Sequence, residues 1–231
     1  MKFPQRIVCF VALLGCAVLP VEAADLNQVL VQFDRVQDGM QTISAEFTET
    51  NTSLLLNEPI VASGRFFMTK PDAIRWEYTT PEEMRFVISA DEYIGYFPDR
   101  KKAEKRNIQR WSERLFRFFG LGQGSTELSR FYEISLGETD AADTFMLVLQ
   151  PRKRRARKRV EQVLFWVNST DYLPRKIEYK GRDGNSRVID FHEVLVNPDL
   201  AATLYSVEIP SDVTVTRGFT GLPNFNPDPA Q

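Results

Sequence analysis

From Ile43 onward, apolar and polar residues alternate in short runs, and that period of two constrains the chain more than any other feature. In Ile43-Ser44-Ala45-Glu46-Phe47-Thr48 every second residue is apolar. Ile74, Trp76 and Tyr78 alternate with Arg75, Glu77 and Thr79. Met84, Phe86 and Ile88 share one face, as do Phe145, Leu147 and Leu149, and again Ile177 and Tyr179. Successive strand side chains point to opposite faces, so such alternation describes antiparallel strands with one face on a core and the other in water. Pro59, Pro71, Pro81 and Pro98 punctuate the runs, with turn sequences at Asp183-Gly184-Asn185 and Asn197-Pro198-Asp199. These signals predict about ten to eleven strands.

The period changes to that of a helix in two places. Between Asp25 and Met40, Leu26, Val29, Leu30, Phe33, Val36 and Met40 recur at helical spacing, with Asp25 placed to cap the start. Between Gln109 and Phe119, Trp111, Leu115, Phe118 and Phe119 fall on one helical face and Arg110, Arg114 and Arg117 on another. The expected class is therefore α+β, mostly β. A sheet of this many strands curls. Helices across its concave side would cover an apolar hollow, although a plainly packed sheet-and-helix core gives the same pattern.

The ends bound the compartment. Lys2 and Arg6 precede a short apolar run, Ile7 to Leu19, and Val21-Glu22-Ala23 offers small residues for cleavage before Ala24. This reads as an export signal over residues 1–23, too short to span a bilayer, and places the mature chain in the periplasm. Leu13-Leu14-Gly15-Cys16 resembles a lipoprotein cleavage box, but the residues after Cys16 continue the apolar core where a tether would be polar, so a lipid-anchored product is the weaker alternative. Removal of 23 of the 231 residues leaves 208, expected as one domain over 24–217 followed by a Pro- and Asn-rich tail over 218–231. Both cysteines, Cys9 and Cys16, go with the signal, so the mature chain has no disulfide and no thiol nucleophile.

Catalytic chemistry finds little purchase. His192 is the single histidine, and with no cysteine beside it neither a zinc site nor a Cys-His pair can be built. No Gly-x-Ser-x-Gly elbow occurs, and Glu82-Glu83 beside Pro81 read as solvated loop residues. The chain is thus expected not to be an enzyme and to use no cofactor or metal. The run Arg152-Lys153-Arg154-Arg155-Ala156-Arg157-Lys158-Arg159 would suggest nucleic acid in a cytosolic protein; behind an export signal it reads as a solvated hairpin or a contact for anionic headgroups or an acidic surface.

An ordered set of segments then narrows the choice. Gly64-Arg65-Phe66-Phe67-Met68-Thr69-Lys70-Pro71 is followed by Ile74-Arg75-Trp76-Glu77-Tyr78-Thr79-Thr80-Pro81, Phe86-Val87-Ile88 and Tyr96-Phe97-Pro98. Leu173-Pro174-Arg175-Lys176-Ile177, Ile189-Asp190-Phe191 and Leu204 through Pro210 continue the series. The set resembles the LolA family of outer-membrane lipoprotein carriers. The resemblance implies an unclosed, strongly curved antiparallel β-barrel with a helical lid over a hydrophobic cavity. It further implies a monomer that receives acylated lipoproteins from an inner-membrane ABC transporter and hands them to an outer-membrane receptor. On that reading Leu30, Phe33, Phe47, Phe66, Met68, Ile74, Trp76, Tyr78, Met84, Phe86, Ile88, Leu115 and Phe118 line the cavity, and Lys70 stands at its mouth where the family typically has Arg. The alternative reading keeps the fold and changes the cargo to another amphiphile, a glycolipid or fatty-acyl product, or makes the chain a sensor of lipids.

Overall fold

The computed structural model describes residues 25–109 and 124–218. The export signal, the second helix with Leu115 and Phe118, and the tail beyond Gly218 lie outside the described residues.

Twelve strands form a single sheet: β1 (Thr42–Thr52), β2 (Ile60–Thr69), β3 (Ala73–Thr80), β4 (Met84–Ser89), β5 (Glu92–Phe97), β6 (Lys102–Asn107), β7 (Tyr132–Gly137), β8 (Thr144–Pro151), β9 (Val160–Asn168), β10 (Pro174–Gly181), β11 (Ser186–Val196) and β12 (Thr214–Thr216). Their spatial order is β12-β6-β5-β4-β3-β2-β1-β11-β10-β9-β8-β7, antiparallel throughout except for β12, which runs parallel to β6. Two meanders are therefore joined in the middle by the pairing of β1 with β11. Among the described residues β7 and β12 are the free edges, so the barrel stays open. The expected fold class holds. The twelve strands exceed the expected ten to eleven, and β12 is three exposed residues with no buried face to produce an alternation.

The alternation dictates the curvature. Along β1, Ile43, Ala45 and Phe47 are buried, and along β3, Ile74, Trp76 and Tyr78 are too. One continuous apolar cluster contains side chains from β1 through β5 and from β8 through β11, which a flat sheet of this width could not bring together. Phe47, Phe66, Trp76 and Phe191 meet edge to face or tilted, with Phe47 and Phe66 each 4.8 Å from the Trp76 ring centroid. Gly64 lets β2 approach β3 closely: a Cβ there would lie 1.9 Å from the Glu77 carbonyl oxygen.

The first helix, α1 (Leu26–Gly39), closes one end of the trough. The Asp25 side chain accepts from Asn27 N–H at 3.1 Å, as a helix cap requires. Val29, Phe33 and Gln37 are buried at successive turns, and Phe33 has no exposed surface. Burying such a ring contributes roughly 1.5–3 kcal/mol. Three polar contacts fix the helix. Asp34 accepts from the backbone and hydroxyl of Ser125 at the start of α2 (Ser125–Ser129). The Lys70 ammonium donates to the Gln37 carbonyl at 2.5 Å, a cation at a helix C-terminus where the dipole favours it. Asn197, in the left-handed region, accepts from Gln41 N–H at 2.7 Å and donates to the Gly39 carbonyl at 3.1 Å.

On the convex face, Glu77 is buried under Arg65, Arg75 and Arg85, all within 3.3 Å of its carboxylate. Arg75 also donates to the Leu204 carbonyl, pinning the Ala202–Tyr205 turn against the sheet.

Candidate functional site

Antiparallel meanders place alternate connections at the same end of a sheet. At the end opposite α1 stand the β1–β2 hairpin, the β8–β9 connection and the β10–β11 turn. Between them the concave face opens into a cavity of about 800 Å³. Its depth is formed by Val163, Tyr132, Tyr179 and Arg187, and its rim by Ser53, Lys158, Arg159, Asp183 and Asn185. A second hollow of about 370 Å³ lies on the other side of β1, lined by Ile60, Ala62, Tyr78, Met84, Phe86 and Phe97. A third, of about 400 Å³, separates the first turns of α1 from Phe145 and Tyr172 at the helix-covered end.

A buried polar network stands between the first two cavities. Glu49 and Asn51 follow Phe47 on the inward face of β1, and Arg187 precedes Ile189 on that of β11. Arg187 donates to Glu49 at 2.6 Å and to the Tyr78 hydroxyl oxygen at 3.2 Å, while that hydroxyl donates to Glu49 at 2.7 Å. Asn51 donates to the other Glu49 oxygen at 2.7 Å. The side chains of the ion pair are only 7% and 4% exposed. Burial works against the Arg187 charge, but Tyr78 and Glu49 outweigh it and hold the guanidinium protonated. Burial pushes the Tyr78 hydroxyl well above the ordinary tyrosine range, so it remains a neutral donor. The Tyr179 hydroxyl is raised for the same reason. The trough thus has an apolar floor toward α1 and a charged, fully buried crosspiece near its opening.

The residues singled out in the sequence divide by place. Tyr78, Met84 and Phe86 line the 370 Å³ hollow. Phe33, Phe47, Phe66, Met68, Ile74, Trp76 and Ile88 are buried in the packed cluster, with Leu30 partly buried against it. Lys70 sits at the helix-covered end, on the C-terminus of α1, away from the 800 Å³ cavity. His192 is exposed on β11. Among the described residues no group of three His, Cys, Asp or Glu side chains is placed to hold a metal ion. The basic run does connect two strands, as expected, with one helical turn, α3 (Arg154–Arg157), inside it. Sequence reasoning passed over Glu49, Arg187 and Tyr132, and placed Tyr179 on a strand face without assigning it to a cavity. The available signal was their register: each stands two residues from an inward apolar side chain on its strand, Phe47, Ile189, Ile134 and Ile177.

The profile of the family described as outer membrane lipoprotein carrier protein LolA matches residues 38–208. An outer-membrane lipoprotein carrier protein from Bordetella avium is 22% identical over 182 residues, spanning 77% of this chain and 82% of that one. Among solved structures, an uncharacterized conserved protein from Thermus thermophilus shares the fold with a TM-score of 0.53 at 14% identity, over 82% of this chain and 97% of the other. A LolA superfamily protein from Nitrosomonas europaea covers 80% of this chain and 99% of its own at 11% identity, with a TM-score of 0.42.

Proposed function

The chain belongs to the LolA family of outer membrane lipoprotein carrier proteins, and from that premise we propose that it is a periplasmic carrier, not an enzyme, that shelters the acyl chains of lipoproteins between the inner and the outer membrane. The observation that carries the reading is the open trough. Its 800 Å³ cavity is within the size range of ligand sites, roughly 300–1,000 Å³. Val160, Val163, Tyr132 and Tyr179 give it an apolar side, while the rim stays polar. Each methylene taken from water stabilises the complex by about 0.8 kcal/mol, so a carrier needs no covalent step, cofactor or nucleotide of its own. Loading from an inner-membrane ABC transporter and delivery to an outer-membrane receptor follow from the same reading.

A second cargo class is favoured by one observation. The Arg187 Nε, buried at the cavity wall, has no hydrogen-bond partner among the described residues. An amphiphile with an acceptor in its headgroup, a glycolipid for example, would satisfy it. Displacement of a fluorescent fatty acid from the mature protein tests the main reading. Saturable binding that Val163→Asp abolishes is expected, because an unpaired carboxylate in an apolar wall is costly to bury. A wild-type protein that binds no acyl probe, while remaining folded, overturns it.

A further inference from the structure

The rim of the trough carries two features that acyl-chain shelter does not require. The first is apolar and exposed. Leu54, Leu55 and Leu56 form the tip of the β1–β2 hairpin and are 79%, 93% and 44% exposed, with Ile60 and Val61 behind them at 49% and 55%. The tip is held in shape: Leu56 N–H donates to the Ser53 carbonyl at 3.1 Å and Leu55 N–H to the Ser53 hydroxyl at 3.3 Å. Contiguous exposed apolar residues on a turn are uncommon and mark a contact surface.

The second is cationic. Seven of the eight residues from Arg152 to Arg159 are Lys or Arg, all exposed, and no ion pair among the described residues involves them. The chain as a whole is formally −2, so this charge is local. Among acids close by, Glu161 follows the run at the start of β9, and the Asp183 carboxylate on the rim is taken up by Asn185.

Contacts along the rim join the two features. Leu54 N–H donates to the Asn185 side chain at 3.3 Å, and the leucine side chain lies over Gly184, where a Cβ would come within 2.8 Å of it. From the same turn, Arg182 N–H donates to the Arg159 carbonyl at 3.0 Å and the Arg182 guanidinium to the Arg157 carbonyl at 2.7 Å. Hairpin tip, β10–β11 turn and basic turn therefore make one continuous lip, and Ser53, Lys158, Arg159, Asp183 and Asn185 of that lip border the 800 Å³ cavity.

We propose that this lip seats the mouth of the cavity on an anionic bilayer, with Leu54, Leu55 and Leu56 entering the acyl region just below the headgroups and the cations of 152–159 resting on lipid phosphates. A protruding apolar tip beside a broad cationic turn fits a deformable, negatively charged plane, where both attractions act together. Because the charge is confined to one end of a net-acidic molecule, approach is oriented mouth first. The purpose of the contact rests on the acyl-carrier reading; its physics does not. Seated in this way, the cavity would receive or release chains without exposing them to water.

Flotation of the mature protein with vesicles tests it. Wild type is expected to float with phosphatidylcholine vesicles rich in phosphatidylglycerol, far less with phosphatidylcholine alone, and to be released by high salt. Leu55→Asp should weaken binding about tenfold or more. Lys153→Ser, Arg154→Ser and Arg155→Ser together should weaken it by about a hundredfold. Arg157 and Arg182 are spared because they hold backbone carbonyls. None of the four substituted residues lines a cavity, so each variant should bind a fluorescent fatty acid in solution as wild type does. Absence of vesicle binding by wild type, equal binding to neutral and anionic vesicles, or unchanged binding by both variants overturns the proposal. Vesicle binding without acyl-probe binding would leave it standing and overturn the carrier reading instead.

Discussion

Glu49→Gln is the most informative single substitution in the trough. Glutamine keeps the shape of the side chain and can still accept from Tyr78, so the change removes one charge and the Asn51 hydrogen bond to the second carboxylate oxygen. What remains is Arg187, 7% exposed at its side chain, with its guanidinium 2.6 Å from a neutral amide. Leaving one member of a buried pair without its counter-ion costs about 3–5 kcal/mol. For a chain of this size that corresponds to a fall of about 6–20 °C in Tm. Thermal and urea unfolding of the mature protein measure it. The decisive comparison is a triple variant, Glu49→Met with Arg187→Met and Tyr78→Phe, which removes both charges and the hydroxyl that would otherwise lose its acceptor. It should lie within about 1 kcal/mol of wild type, since well-packed apolar replacements of buried pairs are often neutral or stabilising. If Glu49→Gln alone costs under about 1 kcal/mol, cavity water solvates the guanidinium and the network is not a dry crosspiece.

The other expectations concern the frame around it. Trp76→Ala should cost about 3–5 kcal/mol by thermal unfolding, because Trp76 is 3% exposed and packed against three aromatic rings; a loss under about 1 kcal/mol would mean that the site is loosely filled. Gly64→Ala should destabilise by about 3 kcal/mol or more, since the new methyl meets the Glu77 backbone and not a mobile side chain; near-native stability would refute the close approach of β2 to β3. Burial raises the Glu77 carboxyl, but the hydrogen bonds and charges of Arg75, Arg85 and Arg65 more than reverse this and hold it below the ordinary value of 4.5. Its folded state is thus favoured above that value, and stability should fall as the pH drops below about 4.5. Glu77→Gln should flatten that part of a stability–pH curve, and an unchanged curve would show that the three arginines do not stabilise the carboxylate.

Much of this architecture is readable in the chain. Alternation located the β1 and β3 faces correctly because Ile43, Ala45, Phe47, Ile74 and Trp76 are both inward and apolar. The same rule hid the crosspiece. Glu49 and Arg187 are polar residues at inward positions, and a reading by period assigns a polar residue to water unless its register is followed through. Alternation gives no sign of β12, because an exposed three-residue strand has no face to bury. Lys70 was legible as a basic residue before a turn proline, but which end of the trough that turn occupies depends on strand order. The lip is the clearest instance. Its leucines lie about a hundred residues from the arginines, and Leu54 is 131 residues from Asn185 in the glycine turn, so only the meander topology sets them side by side.

The pairing of β1 with β11 sets a timetable for assembly. Gln41 and Asn197 are 156 residues apart, yet their hydrogen bond and the strand pairing beside it close the middle of the sheet. A chain that emerges N-terminus first presents β1 to β6 and must wait for β11. During that wait the inner edge of β1 is bare, with its backbone groups unpaired and Phe47 uncovered on one side. Contacts this distant in sequence form slowly, and nascent edges of this kind recruit other chains. The stretch between the emergence of β1 and the arrival of β11 is therefore when this protein most needs a chaperone of its own.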